Sequence, residues 1–228
     1  NGGDPLASEA VHLGSAFAAT GGQDGVLQSC YVDWPGGPEF SVWCTYGARG
    51  EVETAGIAVY KGEFIEGVTE RSDKVQFTFE GYVPAFNPES MYTYPDEGDV
   101  GGISLYYGTQ IYAALGCHGI AMYTAAEPGE LPTRTASWPP NGPGSDGRFA
   151  LSARVITAPS ATTRVYVSFL NSGVGVFDYQ TLAEIGEVDT PAQPNNIVLA
   201  NSGASGLAAM FVGDGRGGFH RLELLTDP

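Results

Sequence analysis

The sequence predicts an all-β protein assembled from repeated units, and three observations support this fold class. The 228 residues include 33 glycines and 15 prolines but only ten lysines and arginines, so turn residues are abundant and helix-forming stretches are scarce. Twelve tyrosines and eleven phenylalanines suit strands, which favour aromatic residues. A short sequence motif also recurs: GIAVY at Gly56–Tyr60 is repeated with one substitution as GIAMY at Gly119–Tyr123.

The recurrence extends beyond this pentapeptide. The run QIYAALG precedes GIAMY, and RVYVSFLNSGVGVFDY (Arg164–Tyr179) repeats the same order of strand, glycine-rich turn and strand. More divergent copies lie at Ser15–Asp33 and Leu207–Leu224. Together with the two units that contain the pentapeptide and with Arg164–Tyr179, they make five copies. Apolar residues alternate with a period of 2, as in strands. Glycine in the turns tolerates the positive φ that tight hairpins require.

Additional strand-like runs flank the hairpins. GGISLYYG, ALSARVITA and NNIVLAN come before them, and RSDKVQFTFEGY, PGELPTRTASW and TLAEIGEVDTP come after them. About four strands in each of five units is the arrangement of a β-propeller. We therefore expect one domain over residues 1–228: a single β-propeller with five blades, or six if the long interval between Gly56 and Gly119 contains another. Residues 1–7 would be a tail, and residues 82–100 an insertion between blades.

The two most regular units resemble the repeats of the LVIVD and YVTN β-propeller families. These units are QIYAALGCHGIAMYTAAEPGELPTRTASW and RVYVSFLNSGVGVFDYQTLAEIGEV. In those families an aromatic strand leads through glycine to an aliphatic strand that ends in aspartate. Asp178 stands at that place in the second unit, whereas the first unit has Thr124. The resemblance covers residues 15–226 and implies a propeller fold without a particular chemistry, because propellers host unrelated functions.

A closed ring must join its last blade to its first. The chain ends soon after the strand-like run FHRLELL. The run SEAVHLG (Ser8–Gly14) is expected to supply the outer strand of the last blade, because that pairing removes a free strand edge.

The acidic composition restricts the partners that the chain can take. The formal net charge is −16 and the sequence pI is near 4.3. A nucleic-acid binder needs clustered basic residues, and an anionic membrane surface would repel this chain. No apolar run approaches the roughly 20 residues of a membrane-spanning helix. We therefore expect no nucleic-acid partner and no membrane-spanning segment, and the charge favours Ca²⁺ or a basic protein surface.

The first residues and the cysteines favour a location outside the cytoplasm. The opening NGGDP reads as a trimmed start and resembles the stretch that follows the acylated cysteine of a bacterial lipoprotein. We expect a periplasmic, cell-surface or secreted protein, with a lipid anchor upstream of Asn1 as one form. Cys30 and Cys44 lie in neighbouring strand-like runs and could form a disulfide. Together with Cys117 they could equally be three buried thiols.

Signatures of catalysis are weak. His12, His118 and His220 lack the paired spacing of a zinc site, and the candidate inner strands lack the carboxylates that propeller glycosidases use. The run YPDEGDVGG places three carboxylates close together, and such a group can offer oxygens to Ca²⁺. The metal candidates are therefore Asp96, Glu97 and Asp99, with no other cofactor expected. The alternative function, a small metal-dependent propeller hydrolase or lactonase, depends on these three residues.

Three loops rich in proline and aromatic residues are the binding candidates. They are DWPGGPEF, GYVPAFNPESMYTYPDEG and SWPPNGPGSDGR. The residues expected to bind are six of their aromatic residues: Trp34, Tyr82, Phe86, Tyr92, Tyr94 and Trp138. Rigid exposed rings serve protein interfaces and sugar platforms, although loops also pack their own rings. We expect a non-catalytic binding module that engages a partner protein of an envelope or extracellular assembly, or a glycan; a structural subunit with no ligand is a third candidate.

Overall fold

The computed structural model describes residues 24–49, 54–67, 74–85, 105–107, 109–116, 118–140, 147–157, 163–194, 196–201 and 208–223. Within these ranges the chain forms fifteen strands in four antiparallel sheets, with one short 3-10 helix at Gly215–Gly217. The all-β fold class is confirmed. The predicted tail, the predicted closing strand Ser8–Gly14 and most of the predicted insertion lie outside the described residues.

Each sheet is a meander in which strands follow one another in chain order. Sheet 1 contains β1 (Asp24–Asp33), β2 (Glu39–Arg49), β3 (Thr54–Phe64) and β4 (Val75–Pro84). Sheet 2 contains β5 (Leu105–Tyr107), β6 (Gln110–Ala114), β7 (Ile120–Thr124) and β8 (Thr133–Trp138). Sheet 3 contains β9 (Ala150–Thr157), β10 (Thr163–Phe169), β11 (Gly173–Asp178) and β12 (Glu184–Val188). Sheet 4 contains β13 (Asn196–Asn201), β14 (Ala208–Asp214) and β15 (Gly218–Glu223).

Four of the five predicted hairpins and most flanking strands are present, but the boundary between the first two units was wrong, and residues 15–23 of the remaining predicted hairpin lie outside the described residues. Gly25 was expected in a hairpin unit of its own. It lies instead in β1, where it pairs with Ala48 of β2. Residues 24–33 are therefore the first strand of sheet 1, the same sheet that contains Gly56. Four sheets are described, so the count of five blades stays a prediction.

The recurring glycine is explained by the crossing of the third and fourth strands. Gly56, Gly119 and Gly173 stand at the start of the third strands of sheets 1, 2 and 3. A Cβ at any of them would overlap a backbone carbonyl of the fourth strand. These carbonyls belong to Val83, Trp138 and Val188, respectively. The repeated pentapeptide thus marks a place where two backbones approach too closely for a side chain.

Successive sheets pack face to face, and their interfaces form the core. Residues of sheets 1 and 2 share one cluster, those of sheets 2 and 3 a second, and those of sheets 3 and 4 a third. An aromatic residue of the second strand anchors each interface: Trp43, Tyr112 and Tyr166. Burying a large apolar side chain stabilises a fold by about 1.5–3 kcal/mol. The first strands also meet in sequence, with β1 against β5, β5 against β9, and β9 against β13.

The glycine crossing predicts a position-specific cost for alanine. Gly119 and Gly67 both have a φ of 77°, so alanine suffers the same backbone strain of about 1 kcal/mol at either position. Only at Gly119 does the added Cβ meet a carbonyl, that of Trp138. We expect Gly119→Ala to lower the free energy of unfolding by about 2 kcal/mol more than Gly67→Ala, measured by urea denaturation. Equal losses would contradict this explanation of the repeat.

Candidate functional site

The β1–β2 connection presents an exposed tryptophan at the end of sheet 1. Trp34 is 58% exposed, and residues 35–38 of the same turn are exposed as well. The turn is nevertheless fixed: the Trp34 Nε1–H donates a hydrogen bond of 2.6 Å to the Gly37 carbonyl, and the Phe64 amide donates one of 2.8 Å to the Pro38 carbonyl. Because the indole nitrogen is already bonded, the ring offers its apolar faces to a ligand.

A column of aromatic rings supports this tryptophan from behind. The Trp34 ring centroid lies 5.5 Å from that of Phe64. Phe64 lies 5.2 Å from Phe40, and Phe40 lies 6.1 Å from Phe77. Phe40 is buried and lies where a Cβ on Gly62 would overlap it. The column fixes the orientation of Trp34, so little conformational entropy is left to lose on binding.

A disulfide cross-links the two strands that carry the turn. Cys30 of β1 lies directly opposite Cys44 of β2, and their sulfur atoms are bonded. Of the two alternatives that the sequence left open for this pair, the structure has the disulfide. Cys117 lies outside the described residues.

The charges beside the turn are mostly negative. Glu39, the residue after the turn, lies opposite Glu63 of β3 and accepts a hydrogen bond of 2.5 Å from Lys61. That hydrogen bond raises the pKa of Lys61, partial desolvation lowers it, and the charges of Glu39, Glu63 and Glu80 raise it further. One lysine therefore faces three carboxylates, and this end of sheet 1 attracts cations.

The ring of Trp138, which the sequence analysis predicts as a binding residue, is buried in the core. It is 7% exposed and packs against Phe169 and Phe177, with ring centroids 5.6 and 5.0 Å away. Trp138 is buried because it is the last residue of β8 and lies opposite Ile120, within the interface with sheet 3. Arg148 covers the ring at 4.4 Å and forms two hydrogen bonds of 2.8 Å to Glu184.

Of the other predicted binding and metal residues, only Tyr82 lies within the described residues. Tyr82 is a half-buried strand residue of β4, not a loop residue, since β4 continues to Pro84. Its ring packs against Tyr46 at 5.0 Å. The remaining predicted site residues lie outside the described residues: Phe86, Tyr92, Tyr94, Asp96, Glu97 and Asp99. Within the described ranges, no three histidine, cysteine, aspartate or glutamate side chains are grouped so that they could hold a metal ion.

The aspartates that end β11 and β14 have structural roles. Asp178, the residue that resembles the family aspartate, accepts hydrogen bonds from the amides of Gln180 and Thr181 and from the Thr181 hydroxyl. These bonds lower its pKa, and the Thr181 hydroxyl is the largest cause. Asp214 is fully buried. It accepts a hydrogen bond of 2.9 Å from the Ala192 amide and lies 3.1 Å from His220 Nε2, so it ties the link between sheets 3 and 4 to the β14–β15 hairpin.

Comparisons with known proteins add no relative. The chain matches no family model, no curated protein and no solved structure. The resemblance to LVIVD and YVTN repeats therefore stays a prediction, and the functional argument rests on the geometry of the site. Over the part of the chain that the structure describes, no helix is both long and apolar enough to cross a membrane.

The two tryptophans of similar proline-rich sequence should respond differently to mutation. Trp138→Ala removes a buried ring and should lower the free energy of unfolding by about 3–5 kcal/mol. Trp34→Ala removes an exposed ring and should cost less than about 1 kcal/mol. Iodide quenching of tryptophan fluorescence should also lose its accessible component in Trp34→Phe. A large loss of stability in Trp34→Ala would assign that ring to packing.

The buried His118 predicts a loss of stability in mild acid. Burial lowers its pKa from 6.5 to about 4, although a hydrogen bond to the Leu115 backbone opposes the shift. As pH falls below 6.5, the unfolded chain binds a proton that the folded chain refuses, so the free energy of unfolding decreases. Between pH 7 and pH 5.5 we expect a decrease about 1 kcal/mol larger than in His118→Gln. Identical pH profiles in denaturant titrations would contradict this.

Proposed function

We propose that this chain is a non-catalytic binding module that acts outside the cytoplasm and contacts its partner through the Trp34 turn. The observation that supports the proposal is an indole ring that is 58% exposed yet held by a hydrogen bond and a column of rings. An exposed aromatic ring in a fixed orientation is a typical anchor of interfaces.

The partner that fits best is a protein that presents lysine or arginine side chains. A cation over an indole face is attracted by the ring quadrupole. Glu39 and Glu63 beside the turn and the net charge of −16 add long-range attraction. A glycan is the second candidate, because the Trp34 indole nitrogen is bonded to Gly37 and only the flat faces, which stack on sugars, remain.

An extracytoplasmic location is supported by the disulfide between Cys30 and Cys44, since such bonds persist in oxidising compartments. We propose a periplasmic, cell-surface or secreted protein.

The architecture we propose is a β-propeller in which the four described sheets are consecutive blades, and the predicted fifth blade would lie outside the described residues. Three of the four sheets have four strands in chain order, each sheet packs face to face on the next, and the first strands meet one another in sequence. This is the arrangement expected of blades around an axis. The hydrolase alternative depends on Asp96, Glu97 and Asp99, which lie outside the described residues, so no described contact favours it.

Titration with a cationic peptide tests the proposed function. We expect deca-lysine to quench the fluorescence of Trp34, deca-glutamate to have no effect, and added NaCl to weaken the binding. Trp34→Ala should weaken binding about tenfold or more, measured by calorimetry. Ile185→Ala is the matched control, because it removes an exposed apolar side chain from sheet 3.

The outcomes of this titration separate the candidates. Binding that Trp34→Ala leaves intact would mean that acidic charge alone attracts the peptide, which contradicts the proposed site. Quenching by chito-oligosaccharides and not by deca-lysine would favour the glycan. No response to either probe would contradict a binding role for Trp34.

A further inference from the structure

The disulfide between Cys30 and Cys44 lies directly behind the Trp34 turn. The two cysteines are 14 residues apart, they face each other across β1 and β2, and Trp34 lies in the loop that the bond closes. Any restraint that the bond places on β1 therefore reaches the turn through residues 31–33 alone.

The end of β1 that leads into the turn has no buried residue. Residues 30–34 are all exposed or half-buried. The first strands of sheets 3 and 4 differ, because β9 buries Ala150 and Ala153 and β13 buries Ile197. A segment with few buried contacts opens at a low cost in free energy. Among the described strands β1 pairs with β2 alone, so the disulfide takes the place of a buried anchor.

A β-bulge beside the disulfide adds to this dependence. The pairing of β1 with β2 has one register up to Leu27 and another from Cys30 onward. The ladder is disrupted at a bulge, so the first register does not fix the second. The disulfide fixes it, and a slip by one residue would turn Val32 to the other face of the sheet.

The two bonded cysteines differ in their access to solvent. Cys30 is exposed, whereas Cys44 is 3% exposed and packs in a cluster with Tyr46, Ala58 and Tyr60. An attacking thiolate must reach a sulfur atom of the bond, so access selects Cys30. After reduction Cys44 would stay in its cluster as a small apolar side chain.

We propose that the bond between Cys30 and Cys44 is a thiol-exchange site that regulates binding at Trp34. Its reactant is a protein dithiol of the Cys-x-x-Cys class, and the oxidised form is the one that binds. The regulation rests on the proposed function, whereas the exchange reaction does not.

The reaction transfers two electrons from the dithiol to the protein. The first thiolate of the reductant attacks the Cys30 sulfur, and a mixed disulfide forms as the bond to Cys44 breaks. The electron pair of that bond leaves on Cys44, which takes up a proton. The second thiol then attacks the mixed disulfide, releases Cys30 as a thiol and closes the disulfide of the reductant.

Trapping the mixed disulfide tests the exchange site in the full chain. A dithiol reductase whose second active-site cysteine is replaced by serine should link to the folded protein in a Cys117→Ala background. Peptide mass spectrometry should locate the link at Cys30. The matched control, which also carries Cys30→Ala and Cys44→Ala, should form no link. A link at Cys44, or one that forms only in urea, would overturn the exchange site.

Hydrogen exchange tests the effect on the turn. After reduction, the amides of residues 31–34 should exchange about tenfold faster or more, while those of the β10–β11 hairpin keep their rates. The chain with Cys30→Ala and Cys44→Ala should match the reduced protein and ignore the reductant. Equal rates before and after reduction would overturn the switch. Faster exchange in both regions would also overturn it, because the bond would then hold the whole fold.

Calorimetry with deca-lysine separates the switch from the proposed function. The reduced chain should bind this peptide about fivefold more weakly or less than that, because a loosened turn loses more entropy on binding. Equal affinity of the two redox forms would overturn the switch and leave the proposed function standing. Binding by neither form, with the link still formed at Cys30, would overturn the proposed function and leave the exchange site standing.

Discussion

The close crossing of the third and fourth strands is the constraint on which the rest of this structure depends. A fourth-strand carbonyl occupies the space that a side chain would need at Gly56, Gly119 and Gly173. This contact fixes the register of each outer strand, and a slip of one residue would turn every side chain of that strand to the other face. Register in turn decides which side chains form the interfaces between sheets. One backbone contact, repeated, therefore orders both the sheets and the core between them.

Much of the strand pattern follows from the sequence because alternation and glycine-rich turns are local signals. Whether a tryptophan is exposed or buried, in contrast, is not determined by its local sequence. Trp34 and Trp138 both precede proline in loops of similar composition, yet one is exposed and the other is buried. The difference arises from Phe169, Phe177 and Arg148, which reach Trp138 from sheet 3 and the segment before it. No pattern within either loop encodes these contacts.

The same limit applies to polar residues in turns. Asp214 lies between two glycines in the run GDGRGG, a local pattern typical of turns, and it ends β14 at the β14–β15 hairpin. Its complete burial depends on Ala192, which arrives from the link between sheets 3 and 4. His118 is a similar case, because the glycines around it are typical of a turn but do not indicate that its side chain is buried. The Trp34 site was recognisable from proline and aromatic content, but its supporting column required the pairing of β2 with β3 and of β3 with β4.

Rigidity and charge contribute to binding at Trp34 in different ways. The disulfide across β1 and β2 and the ring column restrict the turn before any partner arrives, which lowers the entropic cost of association. Charge acts earlier, during approach. Two of the cations described here are already engaged with glutamates, Lys61 with Glu39 and Arg148 with Glu184, so they offset little of the negative field. The field would steer a basic surface toward the end of sheet 1 and set the rate of encounter. Once contact is made, the apolar indole face would determine how long the complex lasts, because desolvated aromatic anchors mainly slow dissociation.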